Sequence, residues 1–310
     1  MVYYSYYSTV DKIGCMEASE ILKRVRKIEI KTRGLSQHIF AGQYHSAFKG
    51  KGMAFSEVRE YRYGDDIRSI DWNVTARYNQ PYVKVFEEER ELTVMLLVDV
   101  SGSQQFGTDF LLKRQALTEV AAVIAFSAIL NNDKIGAILF SDKVEKFIPP
   151  QKGRRHILRI ISELLNFKPE GTGTNITEAL KFLTNGIKKR CTAFLLSDFL
   201  DVERLSLKPL FADALTIAGN KHDLIGIRIF DKRESDFPSV GLVKVRDNET
   251  GKYIWVDSNA PAVRSNFSNR WSQLSDNLKS TFTKASVDWV SIRTDEDYVK
   301  PLISLFKHRS

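Results

Sequence analysis

The stretch TVMLLVDVSGS (93–103) determines how the rest of the sequence is interpreted. Residues 93–98 form a continuous, largely apolar run, which is typical of a strand buried in a parallel sheet. Asp99 follows at once, and Ser101 and Ser103 come at alternate positions after it. Because open α/β sheets bind ligands beyond the carboxyl ends of their strands, this stretch predicts a ligand site at such an end.

Strand and helix patterns alternate through residues 91–310. Another buried strand is predicted at 192–197, and further strands are predicted at 134–140, 144–149, 223–230 and 286–292. Helices are predicted at 110–131, 153–166, 175–189, 203–218, 261–283 and 295–307. Residues 237–258 interrupt the pattern as an inserted hairpin that turns at 248–251. The order predicts an α/β fold with a doubly wound, mainly parallel sheet.

The residues before this region predict a different organisation. Residues 1–17 predict a mobile tail, and residues 18–90 predict a basic helix followed by a small irregular β-rich subdomain. Turn signals at 64–65 and 79–81 precede the alternating stretch 82–86, which predicts a strand.

Composition favours a soluble cytoplasmic protein. The 310 residues are 43% hydrophobic and 27% charged, which is an ordinary globular balance. The apolar runs at 95–98 and 116–130 are shorter than the roughly 20 residues that a spanning helix needs. The first residues show no signal-peptide pattern, and Cys15 and Cys191 lie far apart without ligand spacing. We therefore expect a reducing compartment and no membrane span.

Asp99, Ser101 and Ser103 form one set with Thr174 and Asp198. Thr174 stands at a predicted helix start, and Asp198 directly follows the strand at 192–197. All these donors are oxygens, which Mg²⁺ prefers and which also suit Mn²⁺. Few formal negative charges surround the metal, so it stays electrophilic and accepts a carboxylate from a protein partner. The set therefore predicts metal-dependent adhesion, with no catalytic residues.

The ordered series DVSGS, Thr174 and LLSDF (195–199) resembles the metal-ion-dependent adhesion site of von Willebrand factor A domains. The resemblance implies a sheet of that type. It also implies two kinds of ligand: Ser101, Ser103 and Thr174 coordinate the metal directly, and Asp99 and Asp198 act largely through water.

Several longer stretches carry a second resemblance. They are YRYGDDIRSIDWNVTAR (61–77), EEER (87–90), GAILFSDKVEKFIPP (136–150), LLSDF (195–199) and D-x-E-T-G (247–251). Together they resemble a bacterial family catalogued as domain of unknown function fifty-eight, whose members are often encoded beside MoxR-type AAA+ ATPases. The resemblance covers roughly residues 20–305. It implies an adaptor that works with such an ATPase or with the client that the ATPase remodels.

The chain departs from this family in two ways. Gln104 stands where many relatives have methionine, but that position is not a metal ligand. Many relatives also carry N-terminal membrane helices, and none is predicted here.

Two other functions stay open from the sequence. Asp65, Asp66 and Asp71 suggest a metal-dependent nuclease or phosphatase, although the arginines between them favour structural ion pairs. The segment 23–33 holds six basic residues against one acidic residue, so it suits nucleic acid or another acidic surface. A solvated helix face is the simpler interpretation of that segment, and we expect nucleic acid not to be the main partner.

Overall fold

A computed structural model describes residues 54–87, 92–102, 110–171, 173–203, 205–246 and 253–309. These residues fall into two compact units, one within Phe48–Leu92 and the other within Thr93–Ser310. The predicted tail at 1–17, the basic segment at 23–33 and the hairpin turn at 248–251 lie outside the described residues.

The smaller unit is a two-stranded antiparallel sheet with a short helix. Strand β1 (Ala54–Glu60) pairs with β2 (Tyr82–Glu87), and a 3₁₀ turn (Ile67–Ser69) and helix α1 (Trp72–Tyr78) lie between them. Helix α1 was not predicted, because seven residues are too few to show a helical period. Its first turn is stabilised instead by Asp71, whose carboxylate accepts hydrogen bonds from the N–H groups of Asn73 and Val74.

The larger unit is built on a six-stranded sheet. Its strands are β3 (Thr93–Asp99), β4 (Lys134–Phe140), β5 (Val144–Gln151), β6 (Thr192–Ser197), β7 (Asp223–Phe230) and, after the hairpin, β10 (Asp288–Arg293). They lie in the order β10-β7-β6-β3-β4-β5, and all neighbours are parallel except the edge strand β5. This is the strand order of a doubly wound sheet, so the predicted fold class is confirmed. The hairpin consists of β8 (Leu242–Arg246) and β9 (Tyr253–Asp257).

Helices cover both faces of this sheet. They are α2 (Phe110–Leu130), α3 (Arg154–Asn166), α4 (Ile176–Gly186), α5 (Ala212–Lys221), α6 (Lys232–Ser235), α7 (Pro261–Lys284) and α8 (Val299–Arg309). On one face α4, α5 and α7 pack with Met95, Leu97 and Leu195 in a continuous apolar core. On the other face Phe194 contacts Phe306 of α8 edge to face. Among the described residues, no helix has the length and apolarity to cross a bilayer.

Two predicted helices begin later than expected. The helix predicted at 203–218 starts at Ala212, because the preceding residues form turns in which Val202 bridges Pro209. A proline disfavours the helical conformation of the residue before it, which explains the late start. The last helix begins at Val299 instead of residue 295, and Asp297 accepts a hydrogen bond from the Val299 N–H.

Candidate metal centre

The site lies where the strand order of the main sheet reverses. The chain leaves β3 to form β4 on one side, and it returns later to place β6 on the other side. Asp99 ends β3, and Ser197 ends β6. The carboxyl ends of these adjacent parallel strands are the location at which doubly wound sheets bind ligands.

Asp99 is held rigidly at this edge. Its side chain is buried, and its Oδ1 accepts a hydrogen bond from the Ser101 N–H at 2.9 Å. Its Oδ2 accepts a hydrogen bond from the Ser197 hydroxyl at 2.6 Å. Ser197 was not among the predicted site residues, although its place directly before Asp198 on a buried strand was a usable signal. Both carboxylate oxygens therefore have fixed donors.

Ser101 and Thr174 bring two hydroxyl groups together across the chain. The Thr174 hydroxyl donates to Ser101 Oγ at 2.8 Å, and Ser101 is buried. Thr174 lies just before α4, whose first N–H, at Ile176, donates to Asp201 Oδ2 at 2.9 Å. The Asn175 N–H donates to the Ser141 carbonyl at 2.8 Å. Contacts from the segments after β4 and β6 thus fix the position of Thr174.

Asp198 belongs to a buried ion cluster, defined here as Asp99, Asp198, Lys113 and Glu234. Its Oδ1 accepts the Leu200 N–H at 3.2 Å, and its Oδ2 accepts Lys113 Nζ at 2.9 Å. Lys113 Nζ also donates to Glu234 Oε1 at 2.7 Å. Lys113 is fully buried, and both carboxylates are nearly so. Sequence reasoning missed Lys113 and Glu234, because nothing in their local pattern reveals pairing over such long chain separations.

Burial and charge shift the pKa values of this cluster. Burial alone would lower the pKa of Lys113, but the negative charges of Asp198 and Glu234 raise it above its ordinary value. Burial, with the charge of Asp198, raises the pKa of Asp99 to about 6. Two buried carboxylates, Asp198 and Glu234, contact one ammonium group, and Asp99 lies within electrostatic reach of Asp198, so negative groups outnumber positive ones in the cluster. An oxygen donor set with net negative charge fits Mg²⁺ or Mn²⁺.

Four of the five predicted ligands lie at this edge of the sheet. Asp99 and Asp198 are close enough for the charge of one to shift the pKa of the other, and Ser101 contacts both Asp99 and Thr174. Ser103 lies outside the described residues. Since the set has only two carboxylates, it depends on hydroxyl oxygens for the remaining ligands.

The acidic residues of the smaller unit each have a separate structural partner. Asp65 pairs with the Arg59 guanidinium at 2.7 Å, and Asp66 caps the 3₁₀ turn. Asp71 caps α1 and lies 3.3 Å from Lys84 Nζ. Within the described part of the chain, no group of three or more His, Cys, Asp or Glu residues is placed to hold a metal ion. These contacts support the interpretation of the three aspartates as structural residues.

Topology and site together define a doubly wound α/β protein with an oxygen-rich site at its switch point. The chain belongs to the family described as "Protein of unknown function DUF58", which matches residues 57–276. An uncharacterized protein of Mycobacterium tuberculosis is 28% identical over 299 residues, which cover 96% of this chain and 92% of that protein. The uncharacterized protein YeaD of Bacillus subtilis is 32% identical over 123 residues, which cover 39% of this chain and 27% of YeaD.

Solved structures are similar at low sequence identity. The conserved hypothetical protein BatB from Bacteroides thetaiotaomicron has a TM-score of 0.43 and 14% identity, covering 70% of this chain and 98% of BatB. A von Willebrand factor type A protein from Catenulispora acidiphila has a TM-score of 0.40 and 11% identity, covering 73% of this chain and 43% of that one.

Proposed function

We propose that this protein is a non-catalytic protein-interaction module that binds an acidic partner residue through a Mg²⁺-loaded adhesion site, with Mn²⁺ able to replace Mg²⁺. Ser101 and Thr174 would donate hydroxyl oxygens directly, and Asp99 and Asp198 would act largely through water. When bound, the metal supplies an electrophilic centre with a coordination position for an external carboxylate. The observation that carries the proposal is the convergence of these four side chains, two of them carboxylates, at the switch point.

The hydrogen bonds of the two aspartates support binding over catalysis. A general base must be within reach of a substrate proton and able to accept it. Here both oxygens of Asp99 accept bonds from Ser101 and Ser197, and both oxygens of Asp198 accept bonds from Leu200 and Lys113. These donors hold all four oxygens in fixed positions and leave each a second lone pair, which suits an anchor for a metal or its bound waters.

Exposed apolar side chains on the segment that follows Asp198 support a protein partner. Leu205 and Leu210 are 91% and 61% exposed, and both lie on the segment between β6 and α5. The same segment carries Asp198 and Asp201. A partner that offers its carboxylate to the metal could also cover these leucines, which would add apolar burial to metal coordination.

The partner that we propose is a MoxR-type AAA+ ATPase or the client that it remodels. The family resemblance supports this partner by association, because family members are often encoded beside such ATPases. The chemistry of the metal site suits this partner, because the site requires only that the partner expose a carboxylate.

Metal-dependent capture from native lysate tests this function. The wild-type chain would be used as bait with Mg²⁺ or with EDTA, beside Asp99→Ala with Mg²⁺. A matched control is Asp213→Ala, because Asp213 is an exposed carboxylate in the first turn of α5, outside the predicted ligand set. We expect an AAA+ ATPase to be captured only by the wild type and Asp213→Ala, and only with Mg²⁺.

Two outcomes would count against the proposal. If all arms capture the same proteins, recognition does not depend on the metal. Metal-dependent hydrolysis of a phosphodiester that survives Ser101→Ala but not Asp66→Ala would instead indicate an enzyme of the smaller unit.

A further inference from the structure

The ammonium group of Lys113 lies against the second carboxylate of the site. It is 2.9 Å from Asp198 Oδ2 and 2.7 Å from Glu234 Oε1, and no part of its side chain is exposed. A buried lysine loses its hydration, so it needs such partners to remain charged. Lys113 therefore brings a permanent positive charge into direct contact with a predicted metal ligand.

Glu234 fixes the other side of this ammonium group. Its Oε1 accepts from Lys113, and its Oε2 accepts from the Asp231 N–H at 3.0 Å. Asp231 in turn caps α6 through the Arg233 N–H at 2.8 Å. Glu234 thus belongs to a rigid capping box, so Lys113 is held between a structural carboxylate and a site carboxylate.

These contacts restrict the orientation of the Asp198 carboxylate. Its Oδ2 is taken by Lys113, and its Oδ1 accepts the Leu200 N–H. Without Lys113, Asp198 Oδ2 would lose its ammonium partner, and the cluster would be one unit more negative.

We infer that Lys113 is a charge-compensating residue that lowers the negative charge of the site beside Asp198. The inference rests on the metal site of the proposed function and adds a residue that lies outside the adhesion motif. It implies that Lys113 weakens metal binding in comparison with an uncompensated site. The metal then keeps enough positive charge to attract a partner's carboxylate.

A charge series in the full-length chain tests the inference, with Mn²⁺ and Mg²⁺ as the probes. Lys113→Met removes the cation, Glu234→Gln removes one carboxylate, and the double variant removes one of each. Relative to the wild type, the cluster becomes one unit more negative in Lys113→Met and one unit less negative in Glu234→Gln, and its charge is unchanged in the double variant. Calorimetric titration at pH 8 would give the metal affinity, and thermal unfolding would report the integrity of each variant.

We expect metal affinity to follow the charge. Lys113→Met should bind Mn²⁺ at least about tenfold more tightly and Glu234→Gln at least about tenfold more weakly, because each changes the site by one buried charge. The Mn²⁺ affinity of the double variant should lie within about threefold of the wild-type affinity. The double variant also keeps the test valid if Lys113→Met alone fails to fold, since it removes both members of the Lys113–Glu234 ion pair and the introduced glutamine still offers an oxygen to the Asp231 N–H.

The outcomes separate this inference from the proposed function. If the wild type binds Mn²⁺ and Lys113→Met binds it equally or more weakly while folded, Lys113 is only a structural residue. A double variant that binds as weakly as Glu234→Gln would also overturn the inference. If the wild type binds neither metal, the adhesion site itself is wrong, and the role of Lys113 falls with it.

Discussion

Cys191 and His222 form a buried pair at the amino end of the main sheet. Nδ1 of His222 lies 3.4 Å from the Cys191 N and 3.3 Å from its Sγ. Burial lowers the pKa of His222 to about 4 and raises the pKa of Cys191 to about 12. Both side chains are therefore neutral near pH 7. Since the thiolate is the reactive form of cysteine, we expect Cys191 to be a packing residue and not a nucleophile.

His222 makes stability depend on pH in a defined direction. The unfolded chain protonates this residue near pH 6.5, whereas the folded chain resists protonation down to about pH 4. The unfolded state binds the extra proton between those values, so stability falls as the pH is lowered through this window, by about 3 kcal/mol in total. We expect His222→Asn, which can keep an acceptor near Nδ1, to reduce this loss in urea unfolding measured from pH 7 to 4. His308→Asn is the control, because His308 is exposed on α8. If His222→Asn loses as much stability as the wild type between pH 7 and 4, His222 is not the group responsible for the loss.

Single residues also show what the sequence could reveal about the site. Asp99, Ser101, Thr174 and Asp198 were predictable because each lies next to a strand or helix end that periodicity identifies. Ser197 was within reach of the same argument. Lys113 and Glu234 were not, because they pair through packing of α2 and α6 against the site, and sequence contains no local sign of that contact.

At the scale of elements, the loop before α4 depends on a carboxylate from another segment. Asp201 Oδ2 accepts the Ile176 N–H, and this bond fixes the start of the helix that follows Thr174. Burial, together with the charge of Asp198, raises the pKa of Asp201. The position of a candidate metal ligand is therefore set by a residue that does not belong to the ligand set.

Asp201→Ala tests this dependence. Removing a helix-end acceptor costs about 1 kcal/mol of unfolding free energy, and we expect Mn²⁺ affinity to fall as well, because Thr174 loses its fixed position. Asp201→Asn keeps an oxygen acceptor and is the matched control. Chemical unfolding and metal titration would measure the two effects. Equal metal affinity in the two variants would show that Thr174 is held by other contacts.

Packing of α7 on β7 requires a glycine at position 226. A Cβ built there would lie 2.5 Å from the Phe282 ring, which is buried in the main core. Overpacking of this kind costs about 1–3 kcal/mol, so we expect Gly226→Ala to lower the unfolding free energy by that amount. At Gly186 a Cβ would meet Phe182 at an ordinary 3.8 Å. Gly186→Ala is therefore the control and should be neutral or stabilising in the same unfolding assay.

The elements differ in how well the sequence predicts them. Strands β3 and β6 were predicted almost to the residue, because continuous apolar runs end abruptly at polar residues. The start of α5 was misplaced, since residues 203–211 have a helix-like mixture of polar and apolar residues and only Pro209 signals the interruption. Helix α1 was missed because a capped helix of about two turns is too short to show a periodicity.

At the scale of the whole molecule, metal binding should appear as stability. A ligand that binds only the folded state stabilises it by about 2.7 kcal/mol at a concentration of 100 times its dissociation constant. We expect Mg²⁺ to raise the thermal midpoint of the wild-type chain and EDTA to reverse the rise. Asp99→Asn should unfold at the same temperature with or without Mg²⁺. A midpoint that rises equally in both proteins would place the metal elsewhere.

The order of strands in the sheet has a consequence during translation. Asp99 and Asp198 come from adjacent strands, but almost a hundred residues of chain must be made between them, and Glu234 is made later still. A nascent chain that stops before β6 possesses the DVSGS stretch without a partner strand to complete it. Pairings between distant parts of the chain form after local ones. The site is therefore complete only when β3 and β6 have paired at the centre of the sheet. Recognition through it would therefore select finished molecules, and truncated products on the ribosome would not compete for the partner.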